Sequence, residues 1–490
     1  MAHNSTSVVT RYAPSPTGFQ HIGGIRTALF AYLYAKKHHG TFILRIEDTD
    51  KNREVAGAID HTIAALRWLG LDYDFGPDKA GHFSSVLQSD RLDIYKTYAD
   101  QLIAKGLAYP DPYTTEELTA FRDAATAEKR PFLYRDHRPT QFDTWDGTRA
   151  LRFKVPEIKR YTWHDAVRGT LTAGEEMLDD FILIKADGYP TYNFAHIIDD
   201  LEMGVTHVMR GEEFISSTPK FLSLYDALDI PYPTLVTLPP ILGPDGKKKL
   251  SKRDGAKDLF DYRTNGYVPE AMVNFLALIG WNPGTEQELF TLDELIQNFN
   301  LDQIQRAGGT FNEAKLAWMN KEYLEKLSPE EFLDYMEPIL QPLLTTATPA
   351  TQEQIKRLVP TIRERIHHCQ EAYDEITAGE YDYVFGTINY DTNLLAWKKD
   401  ASVEAVLPRL EQLKVLLESA DFSSSESLKN ALWPYAEAVG RGEVLWPLRV
   451  ALSGKERSPD PFTLAYILGQ STTNQRIKAA CDKIKDNATT

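Results

Sequence analysis

The sequence predicts an α/β core built on a parallel sheet, interrupted by an inserted α/β domain and followed by an all-α region. Near the start, the apolar runs of residues 8–13 (VVTRYA) and 41–48 (TFILRIED) flank an amphipathic stretch, and two strands joined by a helix pair in parallel. Between about residues 103 and 180 short mixed elements replace this alternation, which resumes in DDFILIKADGYPTYNFAHIIDD. From about residue 326 strand signals fade and helical periodicity takes over.

Taken in order, the first helix is expected over 22–39, where Ile22, Ile25, Leu29 and Leu33 recur at spacings of three and four and make one buried stripe. Gly40 is expected to stop it. A second helix follows from about Glu54 to Leu69. GVTHVMRGEEF and YPTLVTLPPIL read as two further strands. In the last third QEQIKRLVPTIRERIHHCQEAYDEI and TTNQRIKAACDKIKD read as helices, and DFSSSESLKN as a loop and helix entrance. There is no internal repeat.

At 490 residues the chain is too long for one core, and two to four domains are expected. Its 42% apolar and 25% charged residues are those of a folded, water-soluble protein. No apolar run approaches the ~20 residues of a membrane span, and MAHNSTSVVTRYAP lacks the basic start and apolar stretch of a secretory signal, so the cytoplasm is the expected location. Cys369 and Cys481 are too far apart to form a metal pair and read as reduced thiols. The net charge of -16 argues against indiscriminate coating of nucleic acid. One segment runs the other way: KKKLSKRDGAK, residues 247–257, carries five lysines and one arginine against one aspartate, after the Pro- and Gly-rich LPPILGPDG.

The stretch TRYAPSPTGFQHIGG is stiff, then flexible, and ends in a histidine at a helix entrance. A helix start offers unpaired N–H groups and the positive end of a dipole. Gly23 and Gly24 remove Cβ atoms that would keep a ligand from the backbone, and His21 stands where a phosphate would dock. The G-x-x-x-x-G-K-[ST] pattern is absent, so this is not a P-loop. If the basic segment folds over the same place, Lys249 and Lys252 can neutralise charge on a triphosphate attacked at its α-phosphorus, which is adenylate transfer.

GFQHIGG and KLSKR resemble the HIGH and KMSKS signatures of class I aminoacyl-tRNA synthetases, and RYAPSPTG, RIEDTD, PTYNFAHIIDD and THVMRGEEF resemble the glutamyl branch of that family. PLRVALSGKERSP and YILGQSTTNQRI are similar to the closing segment of its bacterial type, so the resemblance spans essentially the whole chain. It implies a Rossmann-like catalytic core at 1–102 and 196–254, an inserted acceptor-end-binding domain at 103–195, a stem-contact domain at 255–325 and a helical anticodon-binding region at 326–490. The activity implied is ligation of L-glutamate to tRNA(Glu) through glutamyl-adenylate, using ATP with Mg2+, by a monomer. Whether tRNA(Gln) is also charged is left open.

By motif position, His21, Gly23, Gly24, Lys249 and Lys252 are implied for ATP, with His21 and the two lysines catalytic. Arg11, Ala13, Ser15, Glu47, Tyr192 and Arg210 are implied for glutamate, whose side-chain carboxylate suits an arginine and whose ammonium suits Glu47. Arg363 and Arg365, in the basic IKRLVPTIRERIHH, are candidates for reading the anticodon. Some relatives carry zinc on cysteines and a histidine in the inserted domain; here AYPDPY has Pro110 and Pro112, and LYRDHR has His137 without cysteine, so no zinc is expected. His196 departs from the asparagine or apolar residue that relatives often have. A glutaminyl-tRNA synthetase is disfavoured by APSPTG and the helical ending. A non-catalytic RNA-binding paralogue is disfavoured by the retained histidine and lysines.

Overall fold

The computed structural model describes residues 7–250, 257–346 and 349–487. The chain divides into two compact units, one of residues 1–264 and 268–319, the other of residues 265–267 and 320–490.

In the first unit β1 (Val9–Tyr12), α1 (Ile22–Lys37) and β2 (Thr41–Leu44) form the expected β-α-β turn, with Val9 to Tyr12 registered in parallel against Thr41 to Leu44. The second helix, α2, is Ala58–Trp68. It begins later than expected because Gly57 takes the left-handed conformation (φ 79°) and the α-helical path starts only after it. After α3 (Leu92–Ala104) come β3 (Ala108–Pro110), α4 (Thr115–Ala127), β4 (Leu151–Phe153), β5 (Tyr161–Asp165), β6 (Gly169–Ala173), β7 (Ile182–Ile184) and α5 (Tyr192–Glu202). The core then resumes with β8 (His207–Gly211), α6 (Thr218–Leu228) and β9 (Thr234–Leu238). The short β10 (Ile241–Leu242), helices α7 (Leu259–Thr264), α8 (Pro269–Leu278) and α9 (Leu292–Asn298), and β11 (Gly309–Thr310) complete the unit up to α10 (Glu313–Lys326), within which the division falls.

The main sheet runs β2-β1-β8-β9-β5-β6. The connection from β1 leads outward to β2 and that from β8 leads the other way to β9, so strand order reverses between β1 and β8. Ligands of such sheets bind in the crevice beyond the carboxyl ends at that reversal. Three elements of the interposed stretch, β3, β4 and β7, form a separate antiparallel sheet. The β5–β6 hairpin instead adds to the edge of the main one, bridged at Asp165 and Leu235. Asp165 is fully buried there, its carboxylate accepting from the Val167 and Arg168 amides at 2.9 Å and from the Thr237 hydroxyl at 2.6 Å. One apolar cluster, including Leu151, Trp163, Phe194, Val208 and Leu235, packs the interposed stretch and the parallel strands together.

Gly40 does not end α1. His39 takes the left-handed position (φ 50°), and Gly40 lies so close to Val8 that a Cβ would stand 2.1 Å from its carbonyl oxygen. Strand β2 also ends before residue 48, since the Arg45 amide donates to Tyr12 and the Ile46 amide turns to Val86.

The second unit is helical: α11 (Pro329–Thr346), α12 (Pro349–Arg363), α13 (Cys369–Thr377), α14 (Asp382–Phe385), α15 (Leu407–Glu418), α16 (Ser425–Val439), α17 (Arg441–Ser453) and α18 (Pro461–Asn487), the last kinked at Gly469. Both thiols are free and buried. Among the described residues no helix is long and apolar enough to cross a membrane.

Candidate active site

Two adjoining cavities open at the reversal between β1 and β8. The first, about 320 Å³, is lined by His21, Gly23 and Gly24 of the α1 entrance, by Arg26, and by Glu213 and Lys249. The second, about 290 Å³, is lined by Arg11, Ala13, Ser15, Glu47, Tyr192 and Arg210. Gly24, Thr27, Gly211 and Glu213 border both, so the two are contiguous. Every described residue implied for ATP or glutamate by the motifs therefore lines one of these cavities; Lys252 lies outside the described residues.

At the α1 entrance His21 is the N-cap, its Nδ1 accepting from the Gly23 amide at 3.1 Å. That fixes the neutral ring as an Nε2–H donor. Gly24 makes room for protein rather than only for ligand: a Cβ there would stand 2.7 Å from the Tyr12 hydroxyl, which bonds Gln20 Oε1. Lys249 Nζ lies 3.3 Å from Glu213 Oε2.

The floor of the second cavity is a network of buried charges. Arg45, fully buried, reaches Asp200 at 2.7 Å, Glu47 at 3.2 Å and Asp199 at 3.9 Å. Arg11 pairs with Asp200 at 2.9 Å and also donates to the Met209 carbonyl. Asp199 takes Arg91, the Tyr95 hydroxyl and the Gln88 amide. Burial pushes the Glu47 carboxyl up to about 7, against the pull of Arg45 and Arg11. Burial would also raise Asp200, but Arg11 and Arg45 hold it far below the usual carboxylate range.

Arg210 differs from the other guanidiniums. It is 7% exposed, stacks over Phe221 and donates to the Thr218 hydroxyl at 3.4 Å. Among the described residues no carboxylate lies within salt-bridge distance of it, and burial lowers its pKa. Arg11, Arg45 and Arg91 are thus set against Asp199, Asp200 and Glu47, and Arg210 is surplus. A buried cation without a counter-charge is costly to hold, and an anion entering the cavity relieves it.

His196 lies behind this wall. It is 1% exposed, stacked on Tyr192 at 4.6 Å, with Nδ1 2.7 Å from the Tyr192 carbonyl, and burial lowers its pKa to about 3, so it stays neutral. The residues that motif reasoning did not single out are Arg45, Asp199, Asp200 and Glu213. For the two aspartates the signal was a pair of adjacent carboxylates following the apolar Ile197 and Ile198, where an unpaired charge is not tolerated.

Residues 7–318 match the family of tRNA synthetases class I (E and Q), catalytic domain. The chain belongs to that family. Residues 331–481 match an anticodon binding domain. A glutamate–tRNA ligase of Clostridium botulinum (strain Hall) is 40% identical to this synthetase over 98% of the chain and 99% of its own length, and one of Clostridium novyi is 39% identical over 99% of each. Among solved structures, a glutamate–tRNA synthetase of Elizabethkingia anophelis superposes with a TM-score of 0.83 at 34% identity, covering 97% of this chain and 100% of the other. A glutamate tRNA ligase of Elizabethkingia meningosepticum, solved in complex with its amino acid, superposes with a TM-score of 0.85 at 34% identity, covering 98% and 100%.

In the helical unit the two arginine candidates differ. Arg363, the last residue of α12, donates to the Leu324 and Leu327 carbonyls at 2.6 and 2.7 Å and lies over the Phe332 ring, so its guanidinium is committed within the unit. Arg365 lies beyond the helix end, is 46% exposed and pairs with Glu375 at 3.1 Å. His137 is stacked on Phe121 at 4.1 Å. Among the described residues no group of three His, Cys, Asp or Glu side chains could hold a metal.

Proposed function

We infer that this chain is a glutamate–tRNA ligase, joining L-glutamate to ATP to form glutamyl-adenylate and pyrophosphate, then passing the glutamyl group to the terminal ribose of tRNA(Glu). The observation that carries the choice of amino acid is the surplus Arg210 guanidinium beside Glu47 in one small cavity. Free glutamate carries a net charge of about -1 at neutral pH, which offsets that surplus, whereas glutamine carries none and leaves it buried and uncompensated. Arg210 takes a substrate carboxylate, Glu47 the ammonium, and Tyr192, Ala13 and Ser15 shape the cavity. Arg11 is held by Asp200 and acts as wall and positive field.

The adjoining cavity takes ATP. The amides at the α1 entrance and His21 Nε2–H meet phosphate oxygens, and Lys249, released from Glu213 by a stronger anion, neutralises charge built up at the α-phosphorus. Lys252 is assigned the same role by its motif alone. Mg2+ would come with the triphosphate as its counter-ion and would supply further neutralisation of phosphate charge. No protein nucleophile is needed, since the substrate carboxylate attacks and pyrophosphate leaves; the protein supplies position and charge.

The interposed stretch around β3, β4 and β7 is assigned to the acceptor end of the tRNA, the residues after the basic segment to its stem, and the helical unit to the anticodon, with Arg365 the better placed of the two arginines to meet a base. We assign it to the cytoplasm and to a monomer, as the family resemblance implies. The test is pyrophosphate exchange into ATP with glutamate or glutamine, each with and without tRNA(Glu) and tRNA(Gln), followed by charging of both tRNAs. Exchange that needs glutamate supports the reading and the charging step sets the tRNA range; exchange with glutamine alone overturns it.

A further inference from the structure

We propose that His61, on α2 and outside every motif, is a positioning residue for the phosphate end of the site. The role rests on the reading of the chain as an ATP-using ligase. Its ring lies between the two segments that bring catalytic groups together, the α1 entrance on one side and the chain just beyond the basic segment on the other. The Gln20 amide donates to His61 Nδ1 at 3.4 Å, so Nε2 carries the proton, and Nε2 lies 3.1 Å from both carboxylate oxygens of Asp258. One neutral tautomer satisfies both bonds at once.

Asp258 and its neighbour are in turn tied to the α1 entrance through the backbone. Asp258 forms an isolated antiparallel bridge with His21, and the Leu259 amide donates to the Gln20 carbonyl at 3.3 Å. On the near side of the basic segment the chain is anchored separately, with Leu250 donating to Ile241 at 2.8 Å and Lys249 bridged to Leu242. At the far anchor the Asp258 carboxylate is held by His61 and by the Phe260 amide at 2.8 Å, and among the described residues no other side chain bonds it; Phe19 stacks on one face of the imidazole at 4.7 Å and Phe260 meets it edge-on at 4.8 Å, leaving the ring 12% exposed. An imidazole so enclosed holds Asp258, and through it His21, in one geometry without touching substrate.

The experiment is pyrophosphate exchange with glutamate, tRNA(Glu) and varied ATP, on full-length protein, alongside direct ATP binding by equilibrium dialysis. His61→Ala should lower exchange kcat/KM for ATP by about tenfold or more, the size of one charged hydrogen bond, while the glutamate KM stays within about twofold. His61→Gln, whose amide can still donate to Asp258, should recover most of the loss. Asp258→Ala should give the same split, and the double variant should be no worse than the worse single one. ATP parameters within about twofold of the wild type, an equal loss in glutamate KM, or effects of the two substitutions that multiply would overturn the role. If wild type shows no glutamate-dependent exchange, the functional reading fails instead, and ATP dialysis still decides for or against His61. If His61→Ala does not fold, His61→Gln and Asp258→Ala carry the test.

Discussion

Arg11 and Asp200 stand 2.9 Å apart on the floor of the second cavity, nine-tenths or more buried, and their pairing is what makes Arg210 the unmatched cation there. An arginine already held by a carboxylate has less to offer a ligand than one held only by the Thr218 hydroxyl and the Phe214 and Phe221 rings.

Arg210→Leu should therefore raise the glutamate KM by about ten- to hundredfold or more, the worth of a charge-assisted hydrogen bond or two, with ATP KM nearly unchanged. Steady-state exchange measured against glutamate checks this. A rise shared equally by ATP would mean that the cavity had collapsed rather than lost a ligand.

Glutamate binding should depend on pH through Glu47. With its carboxyl pushed up to about 7 by burial, the free protein holds a proton there at lower pH that the substrate ammonium must displace. Affinity should be fully present above about pH 7 and fall about tenfold per unit below it. For folding the sign is opposite: the buried carboxylate costs stability as pH rises from its unfolded value of about 4.5 to about 7. The glutamate KM profile should show the step, and Glu47→Gln should abolish it.

Asp200→Asn should destabilise the first unit by about 3–5 kcal/mol, because it leaves the Arg11 and Arg45 guanidiniums buried without their shared anion. The carboxyl of Asp200 is depressed, so its contribution is complete above its unfolded pKa and lost as pH falls below it. Thermal unfolding from pH 3 to 8 should show the variant with a flatter acid limb; a melting profile superimposable on wild type would contradict the charge ledger of the cavity floor.

Gly24→Ala should cost about 1–3 kcal/mol through the clash with the Tyr12 hydroxyl. In a Tyr12→Phe background the same change should cost much less, which a double-mutant cycle on melting temperature can read.

Local patterns in the sequence determined the β-α-β start, the interruption after α3, the helical last third and the line of motifs that ends at the two cavities. Such signals survive because periodicity and special residues are read along the chain. Details that depend on a distant neighbour were not legible. Gly40 looks like a helix stop but is a glycine because Val8 crowds it, and His39 takes the turn instead. The β5–β6 hairpin reads as part of an insert, and only its pairing with Leu235, some seventy positions on, joins it to the main sheet. Arg11, Arg45 and Arg210 are equal as letters. Which of them meets a carboxylate of the protein, and which is left without one, was decided by where α5 brings Asp199 and Asp200, since charge pairing acts through space between groups far apart in the chain.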